Sequence, residues 1–181
     1  KSMALDQFFG NANSALVVLT SGDCFEVVKH LFEQAKLFES LSLYKVMGPY
    51  PLNEEALLPY LWKLQTLIVV EEKRGFLETE ISELILRHSL PIKIYGKNFS
   101  GITKLDGFPA YGGLSFEIVR DKFTQLFSLL SYPHHLEKCV YPFTVYGQDH
   151  PKRLPTFCPG CPHRETLSLL KEIRSILHKE K

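Results

Sequence analysis

Apolar and polar positions along the chain alternate between two periods. Ala15–Thr20 (ALVVLT) is a short apolar run, and after the turn Ser21-Gly22-Asp23 apolar residues recur at helical spacing as Phe25, Val28, Leu31, Phe32 and Ala35. The pattern predicts a strand and then a helix over about Cys24–Leu37, with those five side chains as its buried stripe. Leu41–Met47 is a second strand candidate, ended by Gly48-Pro49-Tyr50-Pro51, which cannot continue a ladder. Asn53 is placed to cap a helix over Glu54–Gln65, with Pro59 inside it to kink or shorten it. Thr66–Val70 (TLIVV) is a third apolar run, of the kind a strand buried on both faces carries. Glu71 and Glu72 end it, Lys73-Arg74-Gly75 turn the chain, and Phe76, Leu77, Ile81, Leu84 and Ile85 mark a helix to about His88. Pro91–Tyr95 (PIKIY) is a fourth strand, with Pro at its first position, where the missing N–H is tolerated.

Strands and helices in alternation, with short connections, predict an α/β fold: a mostly parallel sheet with helices on its faces and right-handed crossovers. Ligands and partners of such sheets gather at the carboxyl ends of the strands, which is where the turn after Val70 falls. Beyond Gly96 the pattern loosens. Asn98–Gly113 holds four glycines and a proline and is too long for a simple connection; it is a functional loop or a plain surface loop. Ser115 caps a helix from Phe116 to about Leu130, with Ile118, Val119, Phe123, Leu126, Phe127 and Leu130 on one side. Ser131–Leu154, rich in Tyr, Pro and His, reads as a linker or extended arm. A last helix carries Leu167, Leu170, Ile173 and Leu177 on one side with no further domain to pack into, so the tail reads as the opening of a truncated unit.

Composition narrows the class. The 181 residues suit one domain with an appendage, large enough to bury a core. With 45% apolar and 23% charged residues the chain has the make-up of a soluble globular protein. A net charge of +1 argues against a broad nucleic-acid surface. No apolar run approaches the roughly 20 residues that span a bilayer, and the first residues lack the layout of a secretory leader. Cysteines at 24, 139, 158 and 161 do not form the framework of a small secreted fold, which points to the cytoplasm.

Cys158-x-x-Cys161 is the strongest chemical signal. That spacing lets two thiolates face one metal or cluster. Cys139 and His163 complete a set only if the arm folds back. Near a helix N-terminus the pair is also a candidate redox dithiol, and a plain reduced pair is the third reading. His163 and Arg164 precede the last helix and are placed to meet an anionic group at its positive end, or to serve as exposed capping residues. Glu71 and Glu72 invite an acid–base role, but adjacent strand residues point to opposite faces and cannot act as a pair. One of them is expected to cap the following turn or to pair with Arg74. Ser21-Gly22-Asp23 sits like a phosphate-binding turn without the full glycine fingerprint. Of the remaining histidines only His134-His135 are adjacent, and such neighbours are usually exposed.

Four stretches in order carry a resemblance: LVVLTSG at 16–22, LYKVMGPYPLNEE at 43–55, LIVVEEKRGFLETEI at 67–81 and LPTFCPGCPHR at 154–164. IYGK at 94–97 and GGLSFEIV at 112–119 add to it. On these the chain resembles the alpha subunit of the indolepyruvate ferredoxin oxidoreductase family, thiamine-dependent enzymes that act on 2-oxoacids. The resemblance implies a three-layer α/β/α domain like the transketolase C-terminal domain over 14–131, a linker arm over 132–154, and over 155–181 the start of a truncated thiamine-diphosphate-binding domain. It makes Cys158 and Cys161 candidate ligands of an iron–sulfur cluster and places His163 and Arg164 near the cofactor site. The glutamate that activates thiamine belongs to an earlier domain in this family, so neither Glu71 nor Glu72 takes that role, and no catalytic residue is assigned here. The implied reaction is oxidative decarboxylation of a 2-oxoacid to acyl-coenzyme A, with ferredoxin as electron acceptor. Thiamine diphosphate, magnesium and an iron–sulfur cluster are the implied cofactors of the parent enzyme, none of them held by this stretch alone. The implied partners are the other domains, a second subunit and ferredoxin, with neither nucleic acid nor membrane. Two rival expectations are a non-catalytic α/β interaction module with a cysteine-bearing tail, and a small zinc-dependent protein that unfolds on chelation.

Overall fold

In a computed structural model, which describes residues 5–99, 107–140 and 161–179, the chain divides into two compact units between Pro142 and Phe143. The first unit is built on five strands: β1 (Gln7–Gly10), β2 (Leu16–Ser21), β3 (Ser42–Val46), β4 (Thr66–Val70) and β5 (Lys93–Tyr95). They form one sheet in the order β1-β3-β2-β4-β5. β2 pairs in parallel with β3 and with β4, and β4 in parallel with β5, while β1 runs antiparallel along β3. The sheet is therefore mostly parallel, as the alternating pattern predicts; β1 is an addition the pattern did not show.

The apolar runs are continuous because both faces of the sheet are covered. Leu16 and Val18 of β2 and Ile68 and Val70 of β4 pack on one side, against α1 (Cys24–Gln34) and α4 (Phe116–Leu129). Val17, Leu19, Leu67 and Val69 pack on the other, against α2 (Glu54–Leu61) and α3 (Phe76–Arg87). This is the three-layer α/β/α arrangement, with Val69 near the middle of the sheet and 1% exposed.

Helix ends follow local chemistry. α1 stops earlier than its apolar spacing suggests: Lys36 takes a left-handed conformation (φ 55) and the chain continues as a single 3-10 turn, Leu37–Glu39. The Asn53 carboxamide accepts the Ala56 N–H at 3.3 Å at the start of α2. Pro59, which lacks an N–H, lies inside α2, and the helix ends at Leu61 rather than Gln65. The Ser115 hydroxyl accepts the Ile118 N–H at 3.4 Å at the start of α4. Phe76, read as part of the buried stripe of α3, is 49% exposed, because it lies at the first position of the helix, outside the face that Leu77, Ile81, Leu84 and Ile85 turn to the sheet.

The long loop and the arm both contribute to the core. Phe99 and Phe108 are each 1% exposed. They meet edge to face at 5.6 Å, and Phe108 in turn meets Phe123 of α4 at 5.6 Å. Leu136 and Cys139, in the stretch expected to be linker, are buried against the same layer. The second unit contains α5 (Pro162–Lys179), whose Leu169, Leu170, Ile173, Ile176 and Leu177 are all exposed.

Candidate functional site at the carboxyl ends of the strands

From β2 the chain goes to β3 on one side and then returns to β4 on the other, so the sheet changes direction between β2 and β4. In open α/β sheets that position is where ligands collect. Here Ser21-Gly22-Asp23 leave β2, Glu71 and Glu72 leave β4, and Gly96 and Lys97 leave β5.

Glu71 is 6% exposed. Its two carboxylate oxygens accept the N–H groups of Leu77 and Glu78, each at 2.8 Å. These are orphan donors of the first turn of α3, and Gly75 at the N-cap has no side chain to meet them. Glu71 is thus the cap that the sequence reading expected of one of the two glutamates; Arg74 plays no part in it. Glu72, also beyond the end of β4, serves a different element: it accepts the Leu114 N–H at 3.3 Å just ahead of α4. Glu78 accepts the Lys97 N–H at 2.7 Å. The Lys97 ammonium donates to the Glu71 carbonyl and, at 3.1 Å, to the Pro109 carbonyl. Burial pulls the Lys97 pKa below its usual value, against the opposing pull of the Glu71 carboxylate.

Cys24, the first residue of α1, is 2% exposed. Burial pushes its thiol up to about 11, helped by the negative charge of Glu72. A helix N-terminus favours thiolate, but here burial wins, and Cys24 is a protonated core residue at neutral pH. Thr20, four residues earlier in β2, is fully buried, and its hydroxyl has no partner among the described residues. Glu71, Glu72, Glu78 and Lys97 each hold a helix end or a loop in place. The arrangement fixes the carboxyl end of the sheet, and among the described residues no three metal-ligating side chains come together.

The tail residues lie in the second unit. Cys161 stands immediately before α5, with its sulfur 3.5 Å from Nδ1 of His163. Pro162 takes the first helical position, where a missing N–H costs nothing. His163 and Arg164 are exposed in the first turn. Cys158 lies outside the described residues. Cys139, considered as a further ligand, is 4% exposed in the core of the first unit, and burial raises its thiol pKa. His134 packs on Phe127 and lies 3.7 Å from Glu137, while His135 is exposed. No helix among the described residues is long and apolar enough to cross a membrane.

Residues 23–130 match the family model described as the indolepyruvate oxidoreductase domain. The chain is also similar to two curated proteins named indolepyruvate oxidoreductase subunit IorA. It is 30% identical to that of Methanothermobacter thermautotrophicus over 158 residues, 87% of this chain and 23% of the relative. It is 27% identical to that of Methanothermobacter marburgensis over 155 residues, 85% of this chain and 22% of the relative. The chain therefore spans under a quarter of the length of the curated relatives it matches. With the matched region running from the turn after β2 to the end of α4, the chain belongs to the indolepyruvate oxidoreductase domain family.

Proposed function

We propose that this chain is the scaffolding and docking portion of a 2-oxoacid oxidoreductase of the indolepyruvate type, and that its tail leads into the cofactor-binding part. The supporting observation is the engagement of Glu71, Glu72, Glu78 and Lys97 in capping and loop bonds, within a domain whose family is oxidoreductase. Charges tied to backbone groups hold a surface rigid for its neighbours; they do not turn over substrate.

Chemistry then falls to the tail. Thiol and imidazole side chains suit soft metals and iron–sulfur clusters. A four-iron cluster takes four cysteine ligands, and Cys158 and Cys161 supply two of them. His163 and Arg164, at the positive end of an eighteen-residue helix, suit an anionic diphosphate such as that of thiamine diphosphate with its magnesium. Thiamine diphosphate, when bound, supplies the carbanion chemistry of decarboxylation. The residues of this chain that would position it are Arg164, which would face its negative charge, and His163, whose Nδ1 lies 3.5 Å from the Cys161 sulfur. In the overall reaction a 2-oxoacid loses carbon dioxide, its acyl group passes to the sulfur of coenzyme A, two electrons leave to ferredoxin and the thiol proton leaves to solvent.

The test is anaerobic purification of the full gene product with its companion subunit, followed by ferredoxin reduction with indolepyruvate. Reduction that requires coenzyme A, together with iron lost in Cys158→Ser and Cys161→Ser, is the expected result. Iron content unchanged in both variants, or no 2-oxoacid-dependent reduction, overturns the reading.

A further inference from the structure

Beyond the ends of β3 and β4 the surface changes character. Met47 through Pro51 are all exposed, and the Tyr50 ring, 72% exposed, meets the ring of Phe76 edge-on at 6.2 Å. Phe76 sits at the start of α3, two residues from Arg74, whose carbonyl accepts its N–H at 2.9 Å. Lys73 and Arg74 are exposed, and their side chains have no ion-pair or hydrogen-bond partner among the described residues. Lys73 holds a left-handed conformation (φ 56), which residues other than glycine rarely adopt. Such outliers persist where the surroundings over-determine them, and here the Glu71 cap anchors the turn on both sides. Glu71, Glu72, Glu78 and Lys97 nearby are all engaged in hydrogen bonds; these two cations are not.

We propose that the Tyr50–Phe76 pair and the Lys73-Arg74 turn form a docking surface for an acidic protein surface that carries apolar side chains, presented by the companion subunit. The assignment of the partner rests on the oxidoreductase reading above. Aromatic residues and arginine are enriched at the centres of protein interfaces, and two unpaired cations beside them call for carboxylates opposite. A second copy of this chain is a poorer occupant: a two-fold interface centred on this patch would set Lys73 and Arg74 against themselves. A nucleic acid is the wrong occupant as well, because two cations in a chain of net charge +1 neutralise too few phosphates.

The test measures binding of purified companion subunit to the full-length protein at about 50 mM and about 500 mM salt. Expected are a loss of affinity of about tenfold or more in Lys73→Glu/Arg74→Glu with a flattened salt dependence, and a comparable loss in Tyr50→Ser/Phe76→Ser with the salt dependence kept. Melting temperatures of the variants in isolation stay at the wild-type value. A normal complex that neither double variant weakens overturns the docking surface and leaves the oxidoreductase reading standing. Variants that bind normally but lower the melting temperature of the isolated full-length protein place a neighbouring domain of the same polypeptide on the patch, and this too overturns the proposal. Absence of any complex with wild type overturns the proposal along with the assembly it rests on.

Discussion

Gly75 stands at the N-cap of α3 without a side chain, and the carboxylate serving that helix comes from Glu71, four residues upstream. Glu71→Ala leaves two N–H groups without their acceptor in a buried position, so it is expected to cost about 1–3 kcal/mol, read from the urea midpoint. Glu71→Gln keeps one acceptor and falls between. Cys24 has a different measurable signature. Its thiol stays protonated to about pH 11 in the fold, whereas in the unfolded chain it ionises near the ordinary thiol value. Between those two values the unfolded state binds fewer protons, so stability falls as pH rises. The contribution approaches roughly 2–3 kcal/mol at the upper end. Tyr44, whose phenol is raised by burial and then by the Asp6 carboxylate, acts in the same direction. Lys97, lowered by burial, acts in the opposite one, since its unfolded form holds the proton longer. Cys24→Ala is therefore expected to flatten the loss of stability between about pH 9 and pH 11, measured by denaturant titration. Alkylation by iodoacetamide separates the thiols: in the folded 181-residue chain without a cluster Cys161, partly exposed, reacts, while Cys24 and Cys139 stay unlabelled until urea is added.

The elements at this end of the sheet approach one another through glycine. A Cβ on Gly96 would lie 2.4 Å from Oε2 of Glu78, and one on Gly107 would lie 2.1 Å from the Gly96 carbonyl. The first neighbour is the tip of a side chain that can swing away, at the loss of its bond to the Lys97 N–H; the second is backbone and cannot. Gly107→Ala is expected to destabilise more than Gly96→Ala, with the difference seen in thermal melting. Removing a ring from the aromatic chain through the loop, as in Phe108→Ala, is expected to cost about 3–5 kcal/mol. Much of this architecture was legible beforehand. The runs ALVVLT and TLIVV fall on β2 and β4, and the caps Asn53 and Ser115 act as their residue types predict. What escaped notice depends on distant partners. β1 is a strand only because β3 lies beside it. Phe99 and Phe108 carry no periodicity, being anchored singly in an irregular loop. The docking turn was legible as KRG after a strand, but its lack of partners appears only once Glu71 is seen to serve α3. Cys161 stands out by its spacing from Cys158 and His163 by its place before the last helix; the two side chains lie 3.5 Å apart.

At the scale of the whole molecule, α5 carries five exposed aliphatic side chains between Leu169 and Leu177. Exposed apolar faces of that size drive association. The 181-residue chain by itself is expected to associate in a concentration-dependent way by sedimentation, and Leu170→Glu/Ile173→Glu to return it to monomer. The sheet is less inclined to such pairing: its edges are β1 and the three-residue β5, both short. The direction of β1 has a practical corollary. Because Gln7 lies opposite Lys45 and Gly10 opposite Ser42, the polypeptide enters the sheet from the end where β3 finishes, and Asp6 is bonded there to the Met47 N–H at 2.9 Å. Any affinity tag or fluorescent protein inserted into the polypeptide just ahead of Leu5 would begin its path next to Met47, on the side where Tyr50 and Arg74 await a companion. Labels for interaction measurements belong elsewhere on the polypeptide, or the label itself will compete for the seat.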